Sequence, residues 1–236
     1  KEAIKGRSSF IMKKKVKVYP DTLCWLKDLT YAYNEPFVRE YFSHIGYDNY
    51  PVVGVNWHQA QAFCNWRTQY FNSNAGVRVQ AWRLPNEVEW EYAARGGLSG
   101  AKYPWGGPYT RNKKGCFLAN FKPLRGNYIS DGGFTTVPVG TYEPNGFGLY
   151  DMAGNVAEWT GDAFDESAYQ VTHDLSPYYQ ITAKKSDNKI LKRKVIRGGS
   201  WKDIAYFMQC GVRTYEYADS ARSFIGFRTV RTRIEY

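Results

Sequence analysis

The sequence predicts an α+β fold that contains little regular secondary structure after residue 97. Two segments before that point space their apolar residues as amphipathic helices do. Beyond it, stretches dense in glycine, proline, asparagine and aspartate alternate with short runs that favour β-strands. We therefore expect turns to connect short strands through most of the C-terminal part of the chain.

The two predicted helices carry start and stop signals. The first lies within residues 55–71, VNWHQAQAFCNWRTQYF, and Asn56 can cap its beginning. The second follows Asn86, which together with Glu89 has the spacing of a capping box. Gly96 permits the left-handed backbone that ends many helices, so we expect the second helix to stop there.

Short strands are predicted at residues 16–19, 136–139 and 194–197, where β-prone side chains lie between turn signals. The C-terminal segments RGGSW, VRTYEY and IGFRTVRT are predicted to be buried strands at hairpin-like spacing. Residues 1–50 form a mixed, aromatic-rich segment. The polar residues 161–190 are predicted to be an insertion loop.

Composition and charge restrict the class of protein. The mean hydropathy is −0.56, and the sequence has no apolar run of about 18 residues, the length that a membrane-spanning helix needs. Much of the net charge of +10 lies at residues 13–17 and 184–197. We interpret these lysines as part of a solvated strand edge or loop, because lysine commonly guards exposed edges, in preference to a nucleic-acid surface. An acidic protein partner is the remaining option.

The four cysteines form neither a CxxC pair nor a zinc-binding spacing. They are Cys24, Cys64, Cys116 and Cys210. Isolated buried thiols are the favoured interpretation. Four cysteines allow three disulfide pairings, among which the sequence does not choose.

The stretch DMAGNVAE combines two carboxylates with a backbone that must bend. Asp151 and Glu158 supply charge, while Gly154 and Val156 can turn carbonyl oxygens toward the same centre. Calcium takes six to eight oxygen ligands and accepts backbone carbonyls among them. The alternative is a tight turn in which the acids cap local amides, and the residue pattern alone leaves both open.

Four motifs together resemble the formylglycine-generating enzyme, or sulfatase-modifying factor, family. In chain order they are RLPNEVEWEYAARGG, NGFGLYDMAGNVAEW, RGGSW and GFRTVR, and the likeness covers about residues 50–231. The resemblance implies one compact C-type-lectin-like domain, taken as residues 1–236, with little regular secondary structure and stabilised by calcium.

The family's calcium ligands can be carried over to positions of this sequence. One implied site consists of the Asp151 and Glu158 side chains with the carbonyls of Gly154 and Val156. A second implied site consists of the Asn120 and Asp131 side chains with the carbonyls of Phe121 and Gly133. The second loop differs in length from the family's usual one.

The catalytic positions depart from the family pattern. Its enzymes oxidise a substrate cysteine with copper and oxygen, and two cysteines after the RGGS motif bind the metal. Asp203 and Met208 hold those positions here, and Cys210 is out of register and alone. Because copper(I) prefers thiolates, we expect a member of the family that has lost catalysis.

A narrower resemblance connects residues 18–67 to the gliding-motility and type IX secretion lipoproteins GldK and PorK, with GldJ as a close relative. The pieces PDT…W, YNEP and YDNYPVVGVNW carry it. It implies a lipoprotein on the periplasmic face of a Gram-negative outer membrane, self-associated in a ring with a GldN or PorN partner. The lipobox cysteine is not in this chain, so the lipid anchor is expected outside it.

Aromatic residues between positions 20 and 50 have two interpretations. They are Tyr31, Tyr33, Phe37, Tyr41, Phe42 and Tyr47. Cover for the domain's own core is favoured, and a protein interface is the alternative. Two further functions stay open: a copper-dependent formylglycine oxidase, and a lectin-like module in which Trp105 stacks on a ligand rather than anchoring its loop.

Overall fold

The computed structural model describes residues 15–31, 34–74, 79–124, 127, 129, 133–171, 178–184 and 186–232. The helices are α1 (Cys24–Asp28), α2 (Glu35–Glu40), α3 (Trp57–Asn74), α4 (Glu87–Arg95) and α5 (Ala168–Val171). The strands are β1 (Trp82–Arg83), β2 (Ala157–Ala163), β3 (Arg193–Arg197), β4 (Thr214–Tyr217), β5 (Ile225–Gly226) and β6 (Val230–Arg231). The predicted α+β class is confirmed. None of the described helices has the length and hydropathy needed to cross a membrane.

The two long helices begin where their capping residues predict, and α4 also ends there. α3 continues to Asn74, past the predicted residues 55–71. At α3, Gln59 N donates to Asn56 Oδ1 at 2.9 Å and Asn56 N donates to Gln59 Oε1 at 2.8 Å. At α4, Asn86 and Glu89 form the predicted capping box. Gly96 ends α4 in the left-handed conformation with φ of 57°. The capping predictions are confirmed. They could be made from the sequence because the residues of each N-terminal cap are only three positions apart.

A four-stranded sheet of order β4-β3-β2-β5 forms the centre of the domain. β3 runs antiparallel to both β2 and β4, whereas β5 runs parallel to β2. Every residue of β2 is buried, and Glu158 on β2 lies opposite Arg197 on β3. The prediction of a strand at 194–197 is confirmed. β1 and β6 form a separate antiparallel pair.

Two predicted strands are wrong, because side-chain amides satisfy their backbones instead of neighbouring strands. At residues 136–139, Val137 N donates to Asn155 Oδ1 at 3.0 Å and Val137 O accepts from Asn155 Nδ2 at 3.1 Å. Within residues 15–19, the carbonyls of Lys17 and Tyr19 both accept from Gln59 Nε2. Neither segment is assigned as a strand.

The aromatic segment near the N-terminus covers the domain's own core. Phe37 stacks on buried Trp25 with ring centroids 4.8 Å apart, and Tyr41 packs against the same ring at 5.0 Å. Phe42 and Tyr47 pack against this cluster as well. Tyr31 is fully exposed, and Tyr33 lies outside the described residues. The favoured interpretation therefore holds for the four packed residues.

The start of the predicted insertion at 161–190 belongs to the sheet, since β2 continues through Ala163. Buried Asp162 fixes the neighbouring segments by accepting from Glu87 N at 2.6 Å and Tyr179 N at 3.0 Å. Burial raises the pKa of Asp162 to about 6. This carboxylate therefore connects the start of α4 to the segment beyond β2.

Three of the four cysteines are buried, and all four are free thiols. Cys24, Cys64 and Cys210 are buried, whereas Cys116 is exposed. The interpretation as isolated buried thiols is therefore confirmed for three of them and wrong for Cys116, which lies in an exposed turn.

Candidate functional site

The DMAGNVAE segment forms a turn that leads directly into β2. Two non-glycine residues adopt left-handed backbone conformations there, Asp151 with φ of 54° and Asn155 with φ of 62°. Gly154 also has a positive φ, of 76°, and a Cβ at this position would lie 2.4 Å from Asn120 O. The close approach of two backbones therefore requires glycine.

Asp151 and Glu158 line the same cavity, which has a volume of about 380 Å³. Asp151 Oδ2 accepts a hydrogen bond from Gly140 N at 2.8 Å. Burial raises the pKa of the Asp151 carboxyl, and the charge of Glu158 raises it further. The two acids named by the sequence are thus brought together by the fold.

Arg228 of the GFRTVR motif neutralises Glu158. Its Nε lies 2.6 Å from Glu158 Oε2 and its Nη2 lies 2.6 Å from Oε1. Trp90 Nε1 donates a third hydrogen bond to Oε2 at 2.7 Å. Such a bidentate guanidinium–carboxylate pair is among the stronger hydrogen-bonded contacts in proteins.

These residues fit a calcium ion in part. Two carboxylates and one guanidinium leave the cavity with a net negative charge, which favours a cation. Asp151 Oδ1 has no hydrogen-bond donor among the described residues, so it can serve as a ligand. Glu158 must share its oxygens with Arg228 and Trp90.

The second implied calcium site is only partly described. Asn120 is buried, its Nδ2 donates to Thr135 O at 2.7 Å, and its backbone oxygen accepts from Asn155 N at 2.8 Å. Phe121 is buried next to it, and Gly133 packs close to Val137. Asp131, the implied acidic ligand, lies outside the described residues.

The positions that would bind copper serve structural roles. Asp203 Oδ2 accepts from Ser200 Oγ at 2.5 Å, and Met208 is fully buried in an apolar cluster. Cys210 is buried, and burial raises the pKa of its thiol to about 11. A thioether, a hydrogen-bonded carboxylate and one protonated thiol do not fit copper(I), which prefers thiolates.

A buried ionic cluster lies between α4 and β3 and was not predicted from the sequence. The Arg197 side chain is fully buried and pairs with Glu91, and it also donates to the carbonyls of Cys210 at 2.7 Å and Val212 at 2.6 Å. Arg213 pairs with Glu87 in the same cluster. The arginine that begins RGGSW was a visible signal, but its partners lie far away in sequence.

Trp105, the residue considered for ligand stacking, anchors its own loop. Its Nε1 donates to Tyr109 O at 2.8 Å, and its ring stacks on Tyr103 with centroids 4.9 Å apart. Trp105 therefore anchors its own loop. The lectin-like hypothesis rested mainly on this residue and loses that support.

Comparisons with known proteins agree with the motifs. Residues 11–233 match the model of the sulfatase-modifying factor enzyme 1-like domain. A formylglycine-generating enzyme of Streptomyces coelicolor is 35% identical over 189 residues, which are 78% of this chain and 53% of that protein. The inactive C-alpha-formylglycine-generating enzyme 2 of Bos taurus is 35% identical over 185 residues, 76% of this chain and 49% of that protein. The chain spans about half the length of these relatives.

Solved structures with the same fold come from proteins with other names. Treponema denticola variable protein 1 aligns with a TM-score of 0.58 and 28% identity, covering 78% of this chain and 71% of that one. PvdO from Pseudomonas aeruginosa aligns with a TM-score of 0.60 and 27% identity, covering 78% of this chain and 62% of that one. One fold thus carries several differently named proteins, and function must be argued from the site.

Proposed function

Because the chain belongs to the family of sulfatase-modifying factor enzyme 1-like domains, we propose that it is a non-catalytic member that acts as a structural component of a type IX secretion or gliding-motility machine. The observation that carries the non-catalytic part is the copper position, where Asp203 is tied to Ser200 and Met208 is buried. Relatives of similar identity include proteins named as inactive.

The resemblance of residues 18–67 to GldK and PorK supports the structural role. On this proposal the protein is a lipoprotein at the periplasmic face of the outer membrane and forms a ring with a GldN- or PorN-like partner. A ring built from one kind of subunit needs two different contact patches on each subunit.

An exposed aromatic row on α3 is one surface suited to such a contact. Phe63, Trp66 and Tyr70 are 38%, 54% and 54% exposed. Trp66 stacks on Tyr70 with centroids 5.3 Å apart, and Phe63 packs against Phe227 at 5.4 Å. Aromatic residues are enriched at protein interfaces, whereas the aromatic segment at 20–50 mainly covers the core.

Isolation of the full-length protein from native outer membranes tests the structural role. Gentle extraction with calcium present, followed by electron microscopy and mass spectrometry, should yield ring particles that contain a GldN- or PorN-like protein. A variant with Trp66→Ser and Tyr70→Ser should give fewer rings, and Tyr109→Ser, an exposed tyrosine elsewhere, serves as control. A monomer without partners in the parent preparation would contradict the proposal.

The alternative function is a copper-dependent formylglycine-generating oxidase. The observation that favours it is the 35% identity to the Streptomyces coelicolor enzyme. The residues at the two copper positions oppose it.

Calcium at the first site is part of the proposal, and its removal has a defined expected effect. Saturating calcium should raise the free energy of unfolding by roughly 2–3 kcal/mol, the value for a ligand at about 100 times its Kd. Asp151→Asn should abolish this dependence, because it removes the net negative charge that the cavity keeps after Arg228 neutralises Glu158. Thermal melting with calcium and with a chelator measures both. Glu143→Gln, an exposed acid outside the cavity, is the control, and a parent melting temperature indifferent to the chelator would argue against the site.

A further inference from the structure

The described lysines of the two basic segments meet on one face of the fold. Lys15 and Lys17 line a cavity of about 870 Å³, and a neighbouring cavity of about 520 Å³ is lined by Lys184, Lys192 and Lys194. Both cavities share His58 and Asp219 in their walls. The two cavities therefore adjoin and together form a basic groove.

Lys194 lies at the floor of the second cavity and is only 4% exposed. Its Nζ donates one long hydrogen bond, 3.3 Å to Ile181 O, and lies 4.2 Å from the centroid of the Trp57 ring. An ammonium group has three donors, so its hydrogen-bonding capacity is not filled by the described residues. Burial lowers the pKa of Lys194 to about 8, since its charge has lost most of its water.

Asp162 is the acid whose charge acts on Lys194, but the two side chains do not form an ion pair. The oxygens of Asp162 accept instead from Glu87 N and Tyr179 N. A buried ammonium is normally paired. The structure thus presents a buried cation that faces a cavity and lacks a carboxylate partner among the described residues.

We propose that the basic groove binds an acidic peptide segment, one carboxylate of which accepts hydrogen bonds from Lys194. Charge complementarity supports this occupant, because Lys15, Lys17, Lys184 and Lys194 line the groove, and Asp21, one of the two acids in its lining, is already paired with Lys27. The Trp57 ring offers an apolar wall for the methylene groups of a glutamate. The inference does not depend on the role in secretion.

The groove favours a peptide over a nucleic acid. Asp219 lies in the walls of both cavities, where it would repel a closely spaced row of phosphates, whereas Asp21 is already paired with Lys27 at 2.7 Å. A peptide can place its acidic side chains to either side of Asp219. Aromatic platforms for several successive bases are the usual companions of a single-stranded nucleic-acid groove. In this groove the Trp57 face is covered by Lys194, and Tyr19 supplies one exposed ring.

Binding of fluorescent hexaglutamate to the full chain, followed by anisotropy at about 150 mM salt, tests the proposal. Lys194→Met should weaken binding about tenfold, the effect expected for losing one charge-assisted hydrogen bond. Lys113→Met removes one exposed positive charge outside the groove and should change affinity less than about twofold. A double variant, Lys17→Gln with Lys184→Gln, should also weaken binding, although it leaves Lys194 in place.

Thermal melting separates binding from folding, because Lys194→Met removes an unpaired buried charge and should not lower stability. Equal affinities of Lys194→Met and Lys113→Met for hexaglutamate would overturn the proposal. So would tighter binding of a single-stranded oligonucleotide of equal charge, which would assign the groove to phosphates. Failure of the parent chain to bind hexaglutamate would overturn it as well.

Discussion

Replacing Glu158 by glutamine is expected to lower the free energy of unfolding by about 3 kcal/mol, the lower end of the range for breaking a buried ion pair. The Glu158 side chain is 7% exposed, whereas that of Arg228 is 27% exposed. Water can therefore solvate the Arg228 guanidinium in the variant and offset part of the lost free energy. Without the carboxylate, Arg228 keeps a charge that has lost its partner. Urea denaturation measures the change.

The matched control is Glu35→Gln. Glu35 also pairs with an arginine, Arg39, but their side chains are 68% and 72% exposed. This control should cost less than about 0.5 kcal/mol. Combining Glu158→Gln with Arg228→Gln should cost less than the sum of the single changes, because the two residues form one unit. Equal effects of Glu158→Gln and Glu35→Gln would contradict the assigned pairing.

Replacing Arg197 by methionine should destabilise the domain by roughly 3–5 kcal/mol. The change removes the positive partner of Glu91 and the donors to two carbonyl oxygens, those of Cys210 and Val212. Methionine retains much of the apolar volume, so the loss reports mainly on polar contacts. Chemical denaturation of the two proteins gives the difference.

Arg193→Met on the same strand serves as comparison for Arg197→Met. Arg193 pairs with Glu166 across 3.6 Å, and the Glu166 side chain is 81% exposed, so this pair contributes little. The Arg193 side chain is 14% exposed, and its guanidinium lies over the rings of Phe164 and Tyr215. Its loss should cost about 1–2 kcal/mol. A cost for Arg193→Met as large as that for Arg197→Met would show that the position on β3, rather than the ionic cluster, determines the effect.

Local signals predicted the start of both long helices and the end of α4, whereas pairings between residues distant in sequence were not predicted. The capping box of Asn86 and Glu89 involves residues three apart, so its geometry follows from the sequence. The segment 136–139 looked like a strand, but the side chain of Asn155 fills the role of its neighbour. No local pattern indicates that contact.

In the candidate site, too, the sequence motifs located residues, but contacts between residues distant in sequence were not predicted. Motif order located Asp151 and Glu158, and the fold brings them to one cavity. The pairing of Glu158 with Arg228 was not predicted, because the two residues are 70 positions apart and meet only when β5 packs beside β2. Lys194 was interpreted as part of a solvated strand edge or loop, but β3 is an inner strand and buries it.

An oxidase assay with copper tests directly whether the chain is a non-catalytic member of its family. The full chain is incubated with copper(I), oxygen and a cysteine-containing peptide, beside the Streptomyces coelicolor enzyme as a positive control. No aldehyde product is expected, because Asp203 and Met208 stand where two thiolates are required. Formation of formylglycine at a rate comparable to that of the control would contradict this expectation and assign the chain to the catalytic members of the family.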